Sequence, residues 1–325
     1  MNRIFHRKQK FPRGKVGLAL GSGSARGWAH IGVIKALTEA GIRVNCIAGA
    51  SIGAVVGAVH ASGKIHALED IVLRLDWKQV VSFLDVVFPK SGLIDGNKIA
   101  DFVRAHVAPG NIEDLPLPFR AVCTDLETGG EVVIQEGDII EAVRASISVP
   151  GIFTPVKKGG TILVDGGLVN PVPVSVAREM GADFVIAVDL NHDIIGNKGA
   201  GKTSVPGSEK MSSDIEVGVN PAKKGRIKNA LNRRLMSIDL PALAQVKQWM
   251  AKDPMPNVFE VLVSSINIME AQITATRLKA EPPDLLIQPK LGHLKFLEFQ
   301  RAEEAIAEGY REMKAHLNLR RGTVC

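Results

Sequence analysis

The stretch that most constrains this chain is Ile47-Ala48-Gly49-Ala50-Ser51-Ile52-Gly53-Ala54-Val55-Val56-Gly57, where an apolar run ends abruptly in a serine set among small residues. Ahead of it, Ile42 to Ala48 is short and alternating enough to predict a strand. Behind it, Ile52 to Ser62 has helical composition and stops at Gly63. Strand, sharp turn and helix in succession point to an α/β fold. Gly49-Ala50-Ser51-Ile52-Gly53 matches G-x-S-x-G, and the pattern has a mechanical reason: a serine on a strained turn needs neighbours without bulk if its hydroxyl is to project into a cleft. Ser51 is therefore the candidate nucleophile, with Gly49 and Gly53 as its motif glycines. Small residues could also serve only the close packing of a helix on a sheet. The flanking strand and helix favour chemistry.

A second strand, loop and helix precedes it. Val16 to Leu20 reads as a buried strand and Gly21-Ser22-Gly23-Ser24-Ala25-Arg26-Gly27 as a small-residue loop. Trp28 to Ala40 then repeats apolar residues at helical spacing (Ile31, Val33, Ile34, Leu37) up to Gly41. A glycine-rich turn at a helix start can cradle a dinucleotide pyrophosphate or hold an oxyanion on its exposed N–H groups. The dinucleotide reading expects an acidic residue at the end of the next strand. That strand ends in Gly49-Ala50-Ser51, so the oxyanion reading is favoured. Arg26 could orient an anionic head group or the loop itself, or could be a surface arginine.

Further on, residues 64–117 predict helices (Ile65 to Leu75, Ile99 to His106) around an apolar run from Val80 to Phe88, read as a cap or partial lid. Phe119 to Leu126 with Glu131 to Ile134 predict one hairpin. Ile152 to Val156 with Thr161 to Val164 predict a second, which runs into Asp165-Gly166-Gly167. A carboxylate at the end of an apolar strand lies where α/β sheets present active-site groups, although a turn aspartate before glycine is the commoner use. A nucleophilic serine needs a base. Of the eight histidines, none occupies a strand-end loop as clearly as Asp165 does. Asp165 is thus the simplest candidate base, provided that its basicity is raised or its hydrogen bond to the serine is short.

With 325 residues, 46% of them hydrophobic, the chain can bury a large core. The net charge of +6 favours anionic surfaces such as a membrane face. Aromatic residues at 5% and no RNA-binding aromatic pattern argue against nucleic acid. Cys46, Cys123 and Cys325 lie far apart, without zinc spacing or a disulfide framework, which fits a reducing compartment. Met1 to Lys15 is basic with no apolar core, and no window reads as a spanning helix, so a cytoplasmic protein is expected. The organisation expected is a basic tail at 1–13, a core at 14–192, a basic Gly-, Ser- and Lys-rich insertion at 193–240, and C-terminal elements at 241–325 completing the same domain. Those elements are a helix from Val258 to Leu278, a strand from Asp284 to Pro289 and an amphipathic helix from Glu298 to His316.

Taken together, Gly21 to Gly27 followed by Trp28-Ala29-His30, then Gly49 to Gly53, then Arg144 to Phe153, then Asp165-Gly166-Gly167 resemble the patatin-like phospholipases. Among these the chain is most similar to the small bacterial members related to the catalytic domain of neuropathy target esterase. The resemblance covers 14–192 closely and 281–310 more loosely. It implies an α/β fold of three layers, α/β/α, with a mostly parallel central sheet, and a Ser–Asp dyad that hydrolyses fatty acyl esters without metal or cofactor. It also implies Ser51 as nucleophile and Asp165 as base, with an oxyanion hole from the amides of Gly23 and Ser24, joined by Ile52. Gly166 and Gly167 complete the second motif. Where the family commonly has consecutive glycines, this chain has Ser22-Gly23-Ser24, and the expectation is that backbone donors survive if φ stays negative. The expected activity is a serine lipid acyl hydrolase of phospholipase A or lysophospholipase type, acting on a phospholipid or lysophospholipid. The alternative, motivated by the two loop serines and the basic insertion, is a retained fold that acts as a regulatory or lipid-binding partner.

Overall fold

The structure, a computed structural model, describes residues 14–82, 97–106, 110–194 and 258–321. The expected basic tail, residues 83–88 of the apolar run read as a cap, and almost all of the 193–240 insertion lie outside the described residues. The elements below belong to one compact unit, in which the described residues of 14–194 lie with those of 263–321.

Eight strands form one mixed sheet: β1 (Val16–Leu20), β2 (Val44–Ala50), β3 (Phe119–Asp125), β4 (Glu131–Ile134), β5 (Val156–Lys158), β6 (Thr161–Asp165), β7 (Phe184–Val188) and β8 (Leu285–Ile287). The order is β5-β6-β3-β2-β1-β7-β8, with β4 also on β3. The run from β3 through β8 is parallel, while β4, β5 and β6 are antiparallel to their neighbours. The helices are α1 (Ala29–Glu39), α2 (Ile52–Ala61), α3 (Ile65–Val72), α4 (Trp77–Ser82), α5 (Asn97–His106), α6 (Ile139–Ser146), α7 (Val174–Glu179), α8 (Val258–Ala280) and α9 (Ala302–Arg321). Asp138 starts α6 by accepting the Glu141 N–H on its side chain at 2.7 Å.

β1 and β7 are buried along their whole length, as central parallel strands covered on both faces must be. Their alternate side chains divide the core. Leu18, Leu20, Ile47, Ile186 and Val188 face the layer that includes α1, α2, α6 and α9. Ala19, Ala48, Ala50, Val185 and Ala187 face α7, with Leu278 of α8 packed against them. The second face is made of small residues, so its helices sit close to the strands. On the first face two glycines bring α1 and α9 into backbone contact: a Cβ on Gly32 would lie 2.0 Å from the Ile306 carbonyl oxygen, and one on Gly309 would lie 2.1 Å from that of Ala29. Burying each Leu or Ile of these layers contributes about 1.5–3 kcal/mol.

One expectation needs correcting. α8, with 23 residues and a hydropathy of 1.2, is long and apolar enough by length and composition to cross a membrane, whereas the sequence reading found no such window. Thr, Asn and Gln scattered among its apolar residues hide the run from a search for uninterrupted apolar sequence. In this unit the helix buries Val263, Ile266, Glu270 and Thr274 along one side.

The sheet register decides what meets at the end of β2. Residues 121–124 of β3 pair with β4, 119–122 with β2, and 123–125 with β6. Because β4 overlaps both others, it must hold one edge of β3 while β2 and β6 share the opposite edge. β2 runs up that edge and ends at Ala50, opposite Val122. β6 runs down it and ends at Asp165, opposite Cys123. The two strands abut end to end.

Candidate active site

Ser51 occupies the turn between β2 and α2 with φ 54 and ψ −125, a conformation L-residues rarely adopt. Three contacts hold it there. Its N–H donates to Ser146 Oγ at 2.9 Å, and that hydroxyl donates in turn to the Val122 carbonyl at 2.6 Å. The motif glycines allow the third: a Cβ on Gly49 would lie 2.5 Å from the Gly53 carbonyl oxygen, and one on Gly53 would lie 2.1 Å from that of Leu20. The G-x-S-x-G glycines are required here to let α2 start directly against β1 and β2.

Ser51 Oγ donates to Asp165 Oδ2 at 2.6 Å, across 114 positions of sequence. Asp165 is 1% exposed and Ser51 7%. The other carboxylate oxygen, Oδ1, accepts the Gly167 N–H at 2.7 Å, and the Asp165 backbone is tied by its N–H to the Ser148 carbonyl and by its carbonyl to the Thr124 hydroxyl. Burial first, and then the Glu270 carboxylate, push Asp165 up to about 8, against the bonds from Ser51 and Gly167. A carboxylate in this state is a far stronger base than a solvated one.

The loop before α1 forms a second side of the site. Gly21 N–H donates to the Val188 carbonyl and Ser22 N–H to that of Pro171, whereas the amides of Gly23, Ser24 and Ile52 have no hydrogen-bond partner among the described residues. Ser24 departs from expectation: its φ is 50. Its Oγ donates to the Phe296 carbonyl at 2.6 Å, which anchors the strained residue from outside the loop. Ser22 Oγ donates to Glu270 Oε2 at 2.9 Å. Both serines thus serve as anchors.

Arg26 is 2% exposed and is not among the residues that wall the cavity described below. Its guanidinium donates to the Leu294 carbonyl and to the side-chain oxygens of Asn191 and Asn267, which ties the loop to C-terminal elements. His30 is buried and donates from Nε2 to the Gly21 carbonyl at 2.8 Å. Burial pulls its pKa down to about 4, so the ring is neutral. Sequence reasoning assigned no role to Ser146, although it lies within the Arg144 to Phe153 motif. It also missed Glu270, whose signal was being the only acidic residue between Val261 and Leu278. Among the described residues no group of three or more His, Cys, Asp or Glu is placed to hold a metal ion.

Ser51, Ser24 and Ile52 open onto a cavity of about 110 Å³ walled by Trp28, Val55, Leu75, Val80, Phe102, Ile147, Val149, Phe153, Phe296, Leu297 and Phe299. Trp28 packs edge to face on Phe299, centroids 5.8 Å apart. The arrangement juxtaposes a hydroxyl bonded to a basic carboxylate, unpaired amides and an apolar chamber.

The patatin-like phospholipase family model matches residues 18–178. An uncharacterized NTE family protein of Mycobacterium tuberculosis (strain ATCC 25618 / H37Rv) is 35% identical over 320 residues, covering 91% of this chain and 89% of its own. Patatin-like phospholipase domain-containing protein 6 of Mus musculus is 36% identical over 181 residues, 54% of this chain and 13% of that protein. Among solved structures, VipD from Legionella pneumophila aligns with 95% of this chain and 67% of its own at 15% identity, with a TM-score of 0.46. The chain belongs to the patatin-like phospholipase family, and its relatives include NTE family proteins that match it over nearly its full length.

Proposed function

We propose that this protein is a serine lipid acyl hydrolase that works through a Ser51–Asp165 dyad and a covalent acyl-enzyme. The observation that carries the reading is the 2.6 Å hydrogen bond from Ser51 Oγ to Asp165 Oδ2 at the wall of an apolar cavity. In the first half-reaction Ser51 Oγ attacks the acyl carbonyl carbon while its proton passes to Asp165. The oxyanion is held by the free amides of Gly23 and Ser24, joined by Ile52 at the start of α2, and its collapse expels the alcohol, which takes the proton back. Water then repeats the sequence on the acyl-Ser51 ester and releases the fatty acid.

The cavity wall is suited to an acyl chain rather than a polar substrate. Leu73 and Trp77, each about half exposed, flank Leu75 of that wall and give it an apolar rim for a lipid surface. A phospholipid or lysophospholipid is the substrate class proposed, met at an anionic membrane face that the net charge of +6 favours. A fluorophosphonate probe and a chromogenic fatty acyl ester test the reading, with products from a mixed phospholipid and lysophospholipid pool identified by mass spectrometry. Labelling and turnover lost in Ser51→Ala are expected. Turnover unchanged in that variant overturns the proposal.

A further inference from the structure

We propose that Glu270, on α8, is a positioning residue for the Ser51–Asp165 pair: it anchors the loop that carries the Gly23 and Ser24 amides, and its charge acts on the Asp165 carboxylate across Gly167. The inference rests on the hydrolase reading above and adds to it a residue far along the chain from both dyad members.

The anchoring is direct. Glu270 is 6% exposed, and its Oε2 accepts from Ser22 Oγ at 2.9 Å and from Asn191 Nδ2 at 2.9 Å. Asn191 also reaches Ser22 Oγ at 3.1 Å and accepts from Arg26 at 3.0 Å. Ser22 and Arg26 bracket the two free amides in sequence, so the Glu270–Asn191 pair grips the loop on both sides of them. A buried polar network with its members joined in this way rigidifies the element that it holds.

The second role follows from packing at Gly167. The point where a Cβ would stand on that glycine is 2.3 Å from Glu270 Oε1 and 3.0 Å from Asp165 Oδ1. The two carboxylate oxygens can be no further apart than those lengths combined, with no side chain between them. The charged groups near Glu270 are Arg26, Asp165 and Asp189, with Asp193 acting on Arg26. The buried Cys123 thiol, pushed up first by burial, also borders Asp165. Burial pushes the Glu270 carboxyl up as it does Asp165, but Glu270 has a guanidinium and two hydrogen-bond donors against that push, whereas Asp165 has no cation acting on it, so the first negative charge of the pair settles on Glu270. Asp165 then ionises against that charge, in accord with the upward push that Glu270 exerts on it. Glu270 therefore keeps the Ser51 base strong.

Glu270→Gln keeps the shape and an acceptor for Ser22 while removing the charge. The readout is the rate at which Ser51 is labelled by a fluorophosphonate as a function of pH, with folding checked by thermal melting. The expected result is a labelling midpoint that falls by about one pH unit. Ser22→Ala should slow labelling severalfold at all pH values and leave the midpoint in place. A Ser51-dependent profile whose midpoint does not move in a folded Glu270→Gln variant overturns the electrostatic role, even if the rate drops, because a merely structural residue would give that. If Glu270→Gln does not fold, Ser22→Ala labelled at the wild-type rate overturns the anchoring role. Wild-type labelling that persists in Ser51→Ala overturns the hydrolase reading itself, and this inference with it.

Discussion

Replacing Ser146 with alanine removes the hydroxyl that accepts the Ser51 N–H at 2.9 Å and donates to the Val122 carbonyl at 2.6 Å. Ser146 is fully buried, so water does not replace it. A buried amide stripped of its acceptor costs about 1–3 kcal/mol. Ser51 at φ 54 stores a further ~1–3 kcal/mol of strain, which persists only while its surroundings over-determine it. With the amide freed, part of that strain is released by rotation of the turn, so the net loss of stability should be about 2 kcal/mol. A domain of this size loses roughly 2–4 °C of melting temperature per kcal/mol, so the expected shift is about 4–8 °C downward. Rotation also carries Ser51 Oγ away from Asp165, and a displacement of about 1 Å costs on the order of 100-fold in rate. Calorimetry gives the first quantity. Fluorophosphonate titration well below the melting transition gives the second, corrected for the fraction of sites that react. A Ser146→Ala protein that melts with the wild type and is labelled at the wild-type rate would refute the argument that the turn is held from behind. One that melts lower but is labelled normally would show that other contacts aim the hydroxyl.

Asp165→Asn should lower acyl ester turnover about 10³-fold while the protein remains folded, because the amide cannot take the serine proton; steady-state kinetics on a chromogenic ester decide it. With Asp165 pushed up to about 8 and needed as the anion, turnover should climb about tenfold per pH unit below that value and level off above it, and a rate that falls from pH 6 to 9 would contradict this. The linked effect on stability has the opposite sense. A carboxyl with an unfolded value of about 3.9 and a raised folded one stabilises fully only in acid, so its contribution is lost between about pH 4 and 8, and that component should vanish in Asp165→Asn unfolding curves. Gly53→Ala, whose methyl would stand 2.1 Å from the Leu20 carbonyl oxygen, should cost about 3 kcal/mol or more in urea unfolding. Gly41→Ala, at φ 72 but in open space, should cost only about 1 kcal/mol.

Much of the fold was legible because it is local. The continuous apolar runs of β1 and β7, helical spacing in α1, and positive-φ glycines at Gly41 and Gly63 each follow from residues within a few positions of one another. Ser51 could be singled out for the same reason: strand, small residues and helix are contiguous. What local order does not encode is packing between distant elements. Gly32 and Gly309 look like weak points in two amphipathic helices until those helices touch backbone to backbone. Ser24 at φ 50 is a strained residue until Phe296, 272 positions away, accepts its hydroxyl. Arg26 could have faced solvent, a head group or the loop, and only burial against Asn191, Asn267 and Leu294 shows which groups it holds.

By itself the sequence determined an α/β chain with a serine on a strained elbow, a glycine-rich loop before a helix, and an aspartate at a strand end, because these depend on side-chain period, small size and turn chemistry over short spans. The tertiary structure alone decided that β2 and β6 meet end to end on one edge of β3, which places Ser51 Oγ 2.6 Å from Asp165 Oδ2. It also decided that Glu270, from a long apolar helix, lies beside them. Strand pairing and the burial of a charge are set by partners far away in the chain, and no local pattern records them.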